Sequence, residues 1–187
     1  MAFFMRCWKN LVSAGVFAAV LGACSAGGDA AQLRVRGADV NQGVLTAHLE
    51  WQPGEAVLDA LDHGIVLDFV VDLRAYGPAH LGWRSTLARA ERHIELRYFP
   101  LSRRYQLRDL DRGDTRSYAA RSLLLAALED LRLELPEAWQ RTAASGFALR
   151  VALDRDRLPG ALRLPALLRP DWHLSSGDYQ WQPSSAG

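Results

Sequence analysis

Four stretches of this chain alternate apolar and polar side chains with a period of two, and nothing else in it constrains the fold as strongly. Leu45, Ala47, Leu49 and Trp51 alternate with Thr46, His48 and Glu50. Ile65, Leu67, Phe69, Val71 and Leu73 oppose Asp68, Asp72 and Arg74. In the stretch 90–99, Ile94, Leu96 and Tyr98 oppose Glu91, His93, Glu95 and Arg97. Phe147, Leu149, Val151 and Leu153 alternate with Arg150 and Asp154. Successive side chains of a strand point to opposite faces, so each run reads as a strand with one buried face. Turn-forming residues stand between the runs: Pro53-Gly54, Tyr76-Gly77-Pro78, Pro100-Leu101-Ser102 and Asp111-Arg112-Gly113-Asp114. Strands joined by such turns pair antiparallel, with 104–110 returning along 90–99 as a hairpin.

Helical spacing occurs twice. The stretch 55–63 places Val57, Leu58 and Leu61 on one side, with Gly64 positioned as its stop. The stretch 117–133 reads as the main helix, because Ala120, Leu123, Leu124, Ala127, Leu128 and Leu131 recur at three- and four-residue spacing before Pro136. Gln32 to Gly37 suggests an edge strand, and 171–182 a last strand or hairpin. Pro159, Pro165 and Pro170 imply that 155–171 is mostly irregular. These elements predict an α+β domain: an antiparallel β-sheet, meander- or sandwich-like, covered by one long and one short helix.

The first 24 residues decide where such a domain would work. Arg6 and Lys9 precede an apolar run from Leu11 to Leu21, followed by Leu21-Gly22-Ala23-Cys24. The run is shorter than the roughly 20 residues that span a bilayer and matches the apolar region of an export signal. The quartet resembles a bacterial lipobox, whose cysteine is acylated. Residues 1–23 are therefore expected to be a lipoprotein signal peptide and 24–32 a flexible tether rich in small residues. A single domain over 33–182 and a disordered tail at 183–187 complete the expected organisation. Ser25 mildly favours the outer over the inner membrane. The expected location is the cell envelope, on the periplasmic side.

Removing residues 1–23 from 187 leaves 164, the size of one domain. That segment takes Arg6 and Lys9 out of 22 basic residues and none of the 21 acidic ones, leaving a net charge of −1. Nucleic-acid binding needs clustered positive charge and is not expected. With Cys7 removed and Cys24 acylated, no thiol remains for a disulfide, a thiol enzyme or a Cys-based zinc site.

Motifs for a reaction are weak. Ser145-Gly146 lacks the first glycine of GxSxG, and Ser175-Ser176-Gly177 follows no strand-to-helix elbow. Asp109-x-Asp111 matches a calcium loop at only two positions, since Gly113 and Ala120 stand where further ligands belong; Asp154-x-Asp156 is no better. All four aspartates read as turn residues. His48 and His93 fall on outward strand faces and would approach a common metal only if their strands paired. No catalytic residue, metal or cofactor is expected. Arg103 and Arg104, at a hairpin turn, are candidates for contact with anionic lipid or an acidic partner. Among five tryptophans after the signal most should be core, but Trp172, Tyr179 and Trp181 cluster near a chain end and are candidates for a binding surface.

The order of these pieces carries a resemblance. GIVLDFVV at 64–71, RHIELRYFPLSRRYQL at 92–107, SLLLAALEDL at 122–131, VALDRDRLPGALRLPAL at 151–167 and DWHLSSGDYQW at 171–181 together resemble the proteobacterial DUF4390 family. The resemblance covers 33–181, and its most specific parts are Leu-Ser-Arg-Arg-Tyr and the terminal Trp-x-Leu-Ser-Ser. It implies an exported protein with no assigned reaction and an envelope-sensing context. The expected function is a non-enzymatic envelope lipoprotein, held at the membrane by lipid on Cys24, that binds an envelope protein. The alternative is a carrier of a small apolar ligand in a cavity lined by Phe69, Leu96 and Leu124; a hydrolase is the third reading.

Overall fold

The core is assembled on one strand with a neighbour on each side. The computed structural model describes residues 31–81 and 83–183, and the signal segment with Cys24 lies outside them. Leu67–Tyr76 (β3) pairs antiparallel with Thr86–Phe99 (β4) on one edge and with Gly146–Leu153 (β8) on the other. Beyond β4 lie Arg104–Asp109 (β5) and Thr115–Tyr118 (β6); beyond β8 lies Tyr179–Trp181 (β9). The result is a six-stranded sheet in the order β6-β5-β4-β3-β8-β9.

A second sheet holds Gln32–Asn41 (β1), Val44–Gln52 (β2) and Asp130–Glu134 (β7), in the order β1-β2-β7. Gln42 and Gly43 both take positive φ at the β1–β2 turn, the conformation a tight hairpin needs. Leu33, Val35, Leu45, Ala47, Leu49 and Trp51 of this sheet share one core with Phe69, Val71, Leu73, Ile94, Leu96 and Leu149 of the other. The Trp51 ring meets Phe69 edge-on, with centroids 5.2 Å apart, a favoured aromatic geometry. The fold is α+β with antiparallel sheets, as the alternation predicts. Among the described residues, however, there are two sheets, and three short α-helices in place of one long and one short.

Glu55–Asp62 (α1) buries Val57, Ala60 and Leu61 and stops where the sequence says it should: Gly64 has φ +79°, which only glycine adopts without strain. The expected long helix is shorter. Arg121–Glu129 (α2) buries only Leu124 and Leu128, and the chain then becomes β7. The stretch is ambiguous because Leu131, Leu133 and Leu135 also alternate with Arg132 and Glu134, and pairing with β2 satisfies that second period.

The stretch 155–171 is also more ordered than its prolines imply. A 3-10 turn at Arg155–Arg157 leads into Gly160–Leu168 (α3), and Pro170–Trp172 forms a further 3-10 turn. Pro159 caps α3 and Pro165 is accommodated inside it. Asp68, expected to face solvent, is buried at the start of β3 because the 155–157 turn covers that face and Arg157 reaches within 3.8 Å of it.

The final 3-10 turn sets Trp172 against α1, where it is buried. Trp172→Ala should therefore cost roughly 3–5 kcal/mol of stability, as for other fully buried aromatic truncations, measured by chemical denaturation. A loss below about 1 kcal/mol, the size typical of surface changes, would contradict this packing.

Candidate functional site

The candidate residues do not form one patch; the fold distributes them to opposite ends of the six-stranded sheet. One end is where β3 finishes, β4 and β8 begin and β9 finishes. The other end gathers the close of β4, the start of β5, both α1 and α3, and the start of β1.

At the first end, β9 lies along β8 with Trp181 opposite Phe147 and Tyr179 opposite Leu149. Their rings form a chain from the core outward: Trp139 to Phe147 at 6.5 Å, Phe147 to Trp181 at 5.3 Å and Trp181 to Tyr179 at 5.8 Å. Trp139 and Phe147 are buried, whereas Trp181 and Tyr179 are half-buried and open the chain to solvent. The β3–β4 turn stands beside them, because Arg84 and the Trp181 carbonyl both approach Gly146. That turn carries Leu81 and Trp83, fully and 83% exposed respectively, held by a His80–Trp83 bridge. Leu81 takes positive φ there. Leu87, also exposed, packs over Gly77 at the base of the turn. Sequence reasoning singled out Tyr179 and Trp181 but missed Leu81 and Trp83. The only available signal was an apolar pair inside a Gly-Pro-rich turn, where side chains seldom find cover.

At the second end, Arg103 and Arg104 are exposed on the β4–β5 turn, with Arg103 at positive φ. Leu101 beside them is fully exposed. Trp172 lies at this end too, but as core; the expectation of a Trp172 surface fails because the 170–172 turn tucks the ring under α1 and α3. An open groove of about 940 Å³ runs between α1 and α3, lined by Leu58, Ile65, Leu162 and Trp172 among others. Tyr105 donates to Asp62 at 2.8 Å at its margin, where Arg121 pairs with the same carboxylate. Burial and that hydrogen bond push the Tyr105 hydroxyl up to about 12. His63 sits on the groove's edge with Nδ1 2.7 Å from the Asp59 carbonyl, which favours its protonated form and raises its pKa.

The residues weighed for chemistry are occupied structurally. The Ser145 hydroxyl donates to the Tyr76 carbonyl, and that of Ser176 donates to Gly177 while accepting from the Val151 N–H. Asp109 accepts the N–H groups of Asp111 and Arg112, and Asp154 accepts that of Asp156, so all close turns. His48 and His93 lie on strands of different sheets: His48 meets Asp130 at 2.8 Å and His93 meets Glu91 at 3.4 Å. Among the described residues no three His, Cys, Asp or Glu side chains gather as a metal site. Phe69, Leu96 and Leu124 are fully buried and line neither the helical groove nor a smaller polar one between β5 and β7.

Asp68 is the one buried carboxylate whose titration the structure perturbs upward. Burial raises its pKa above the ordinary 3.8, and Arg157 only partly offsets this. Because the folded state holds this proton more tightly than the unfolded chain, the contribution is fully present below the unfolded pKa. It is lost as the pH rises through the folded value. Asp68→Asn, which cannot ionise, should gain stability relative to the native chain as the pH goes from about 3 to about 7. Denaturation across that range reads the difference, and a constant difference would contradict it.

No helix of the described residues is long and apolar enough to cross a membrane. No curated protein and no solved structure matches the chain. A family model described as a domain of unknown function, DUF4390, does match, over residues 29–182, which takes in both sheets, all three helices and both ends described above. The chain belongs to the DUF4390 family.

Proposed function

We propose that this protein is a non-enzymatic lipoprotein of the cell envelope, held by lipid on Cys24, that binds an envelope protein through the aromatic end of its larger sheet. The observation that carries the reading is the exposed pair Leu81 and Trp83 on the turn at the end of the sheet where Tyr179 and Trp181 are half-buried. Isolated apolar residues on a surface need no explanation, but an exposed tryptophan at the same end of a sheet as a second, half-buried one brings together the side-chain types that dominate protein interfaces. The geometry adds a backbone element. β9 is an edge strand with no neighbour on its outer side among the described residues, so a partner strand can extend the sheet beside it while side chains settle on the aromatic chain.

The anchor supplies the location. The basic start, the apolar run and Leu21-Gly22-Ala23-Cys24 favour acylation, with the periplasmic face of the outer membrane preferred. One acyl chain holds a protein only marginally, and a bacterial lipoprotein carries more than one, so release is slow. A carrier of small apolar ligands, the alternative, draws only on the open groove between α1 and α3.

Crosslinking in cells of the tagged protein, followed by mass spectrometry, tests the binding role. Trp83 is nearly all solvent-exposed, so Trp83→Ala should change stability by no more than about 0.5 kcal/mol while removing the dominant envelope partner from the captured set. Undiminished capture by that variant would exclude this surface. In parallel, Cys24→Ala should abolish palmitate labelling; retained labelling would exclude the lipobox.

A further inference from the structure

We infer that the outer face of α3 rests on the lipid headgroups of the membrane that holds the anchor. The inference rests on the anchored reading above and extends it to an orientation. Leu164, Leu167 and Leu168 are 70%, 53% and 82% exposed. On a helix of 3.6 residues per turn they share an arc of about 100°, opposite Ala166, the one residue of α3 that is fully buried. Three large aliphatic side chains on one face of a nine-residue helix make an apolar stripe that the described chain leaves uncovered.

The flanks of the stripe have the charge that a phospholipid surface selects. Arg155 and Arg157 precede the helix, Arg163 lies within it and Arg169 caps its end, against Asp154, Asp156 and Asp171; Arg157 lies 3.8 Å from Asp68 and Arg169 3.2 Å from Asp171. An apolar helix face bordered by arginines is the pattern of a helix lying in the plane of a membrane interface, with leucines among the acyl chains and guanidinium groups at the phosphates.

The path of the chain brings the same helix to the anchor. Ala31, where the described chain begins, packs beside Gly54: the position a Cβ would take on that glycine is 3.4 Å from the Ala31 Cβ and 3.1 Å from the Asp171 Cβ. Asp171 belongs to the turn that directly follows α3. Cys24 is seven residues before Ala31, and a fully extended chain of that length spans at most about 25 Å. An acylated Cys24 therefore keeps this end of the protein at the bilayer, and α3 is the apolar surface beside the attachment point. Leu101, Arg103 and Arg104 stand on the turn at the same end, while Trp83 and Trp181 are held at the far end of the sheet.

The test uses the acylated full chain in vesicles of phosphatidylethanolamine and phosphatidylglycerol. Its one free thiol, introduced as Leu167→Cys or, as a control at the far end, Leu81→Cys, carries an environment-sensitive fluorophore. Flotation shows whether the anchor holds. The expected result is that both proteins float, and that the label at position 167 shifts to the blue and loses most of its emission to spin-labelled lipid, while that at 81 does neither. Flotation with a water-exposed label at both positions overturns the inference and leaves the anchor standing. So does a blue shift at 167 that lipid quenchers do not touch, which would mean that protein covers the helix. Failure of both proteins to float overturns the anchored reading and this inference with it.

Discussion

Phe69 joins the two sheets, and the rest of the molecule depends on that contact. It is the second of five inward residues of β3, paired on one side with Ile94 and on the other with Leu153, while the Trp51 ring meets its edge from the opposing sheet. Removing it would leave a hole touching both layers, the kind of cavity that costs several kcal/mol. With no cysteine among the described residues, this packing has no covalent help. The ends of the larger sheet keep their separate character only because the middle is filled.

That separation gives the molecule a direction. At one end Ala31, α1, α3 and the basic β4–β5 turn come together, and the uncovered side chains there are leucines with arginines around them. At the other end Leu81 and Trp83 are exposed on the β3–β4 turn, and the edge strand β9 at the same end carries the half-buried Tyr179 and Trp181. Leucine and arginine suit a lipid interface; tryptophan and tyrosine beside open backbone suit a protein. The length of β3, ten residues at about 3.3 Å each, sets the ends some 30 Å apart. A partner held at the aromatic end would therefore meet the protein well clear of the headgroups.

Much of this was legible in the sequence where a single periodicity prevailed. The strands at 44–52, 67–76 and 146–153, the 90–99 part of the strand at 86–99, the stop at Gly64 and the Asp109 and Asp154 turns follow from alternation and turn chemistry alone. The sequence misled where two periods overlapped, since Leu128, Leu131 and Leu133 serve a helix and a strand equally and only the availability of β2 as a partner decides. It also misled at Pro165, which disguises α3. The candidate site was half legible. Tyr179, Trp181 and the Arg103-Arg104 turn were singled out by residue type and position. Exposure was legible only in part, because what remains uncovered depends on the whole assembly: the Gly-Pro-rich turn around Trp83 hinted that it lacks cover, but nothing around Trp172 marks it as core.

On the proposed reading, the two ends of the molecule face different partners. Photocrosslinking amino acids placed in living cells at Trp83 and at Leu168 test it most directly. The account predicts one discrete protein adduct from position 83 and only lipid adducts from position 168. A common protein adduct from both positions, or a protein from 168 and none from 83, would contradict it.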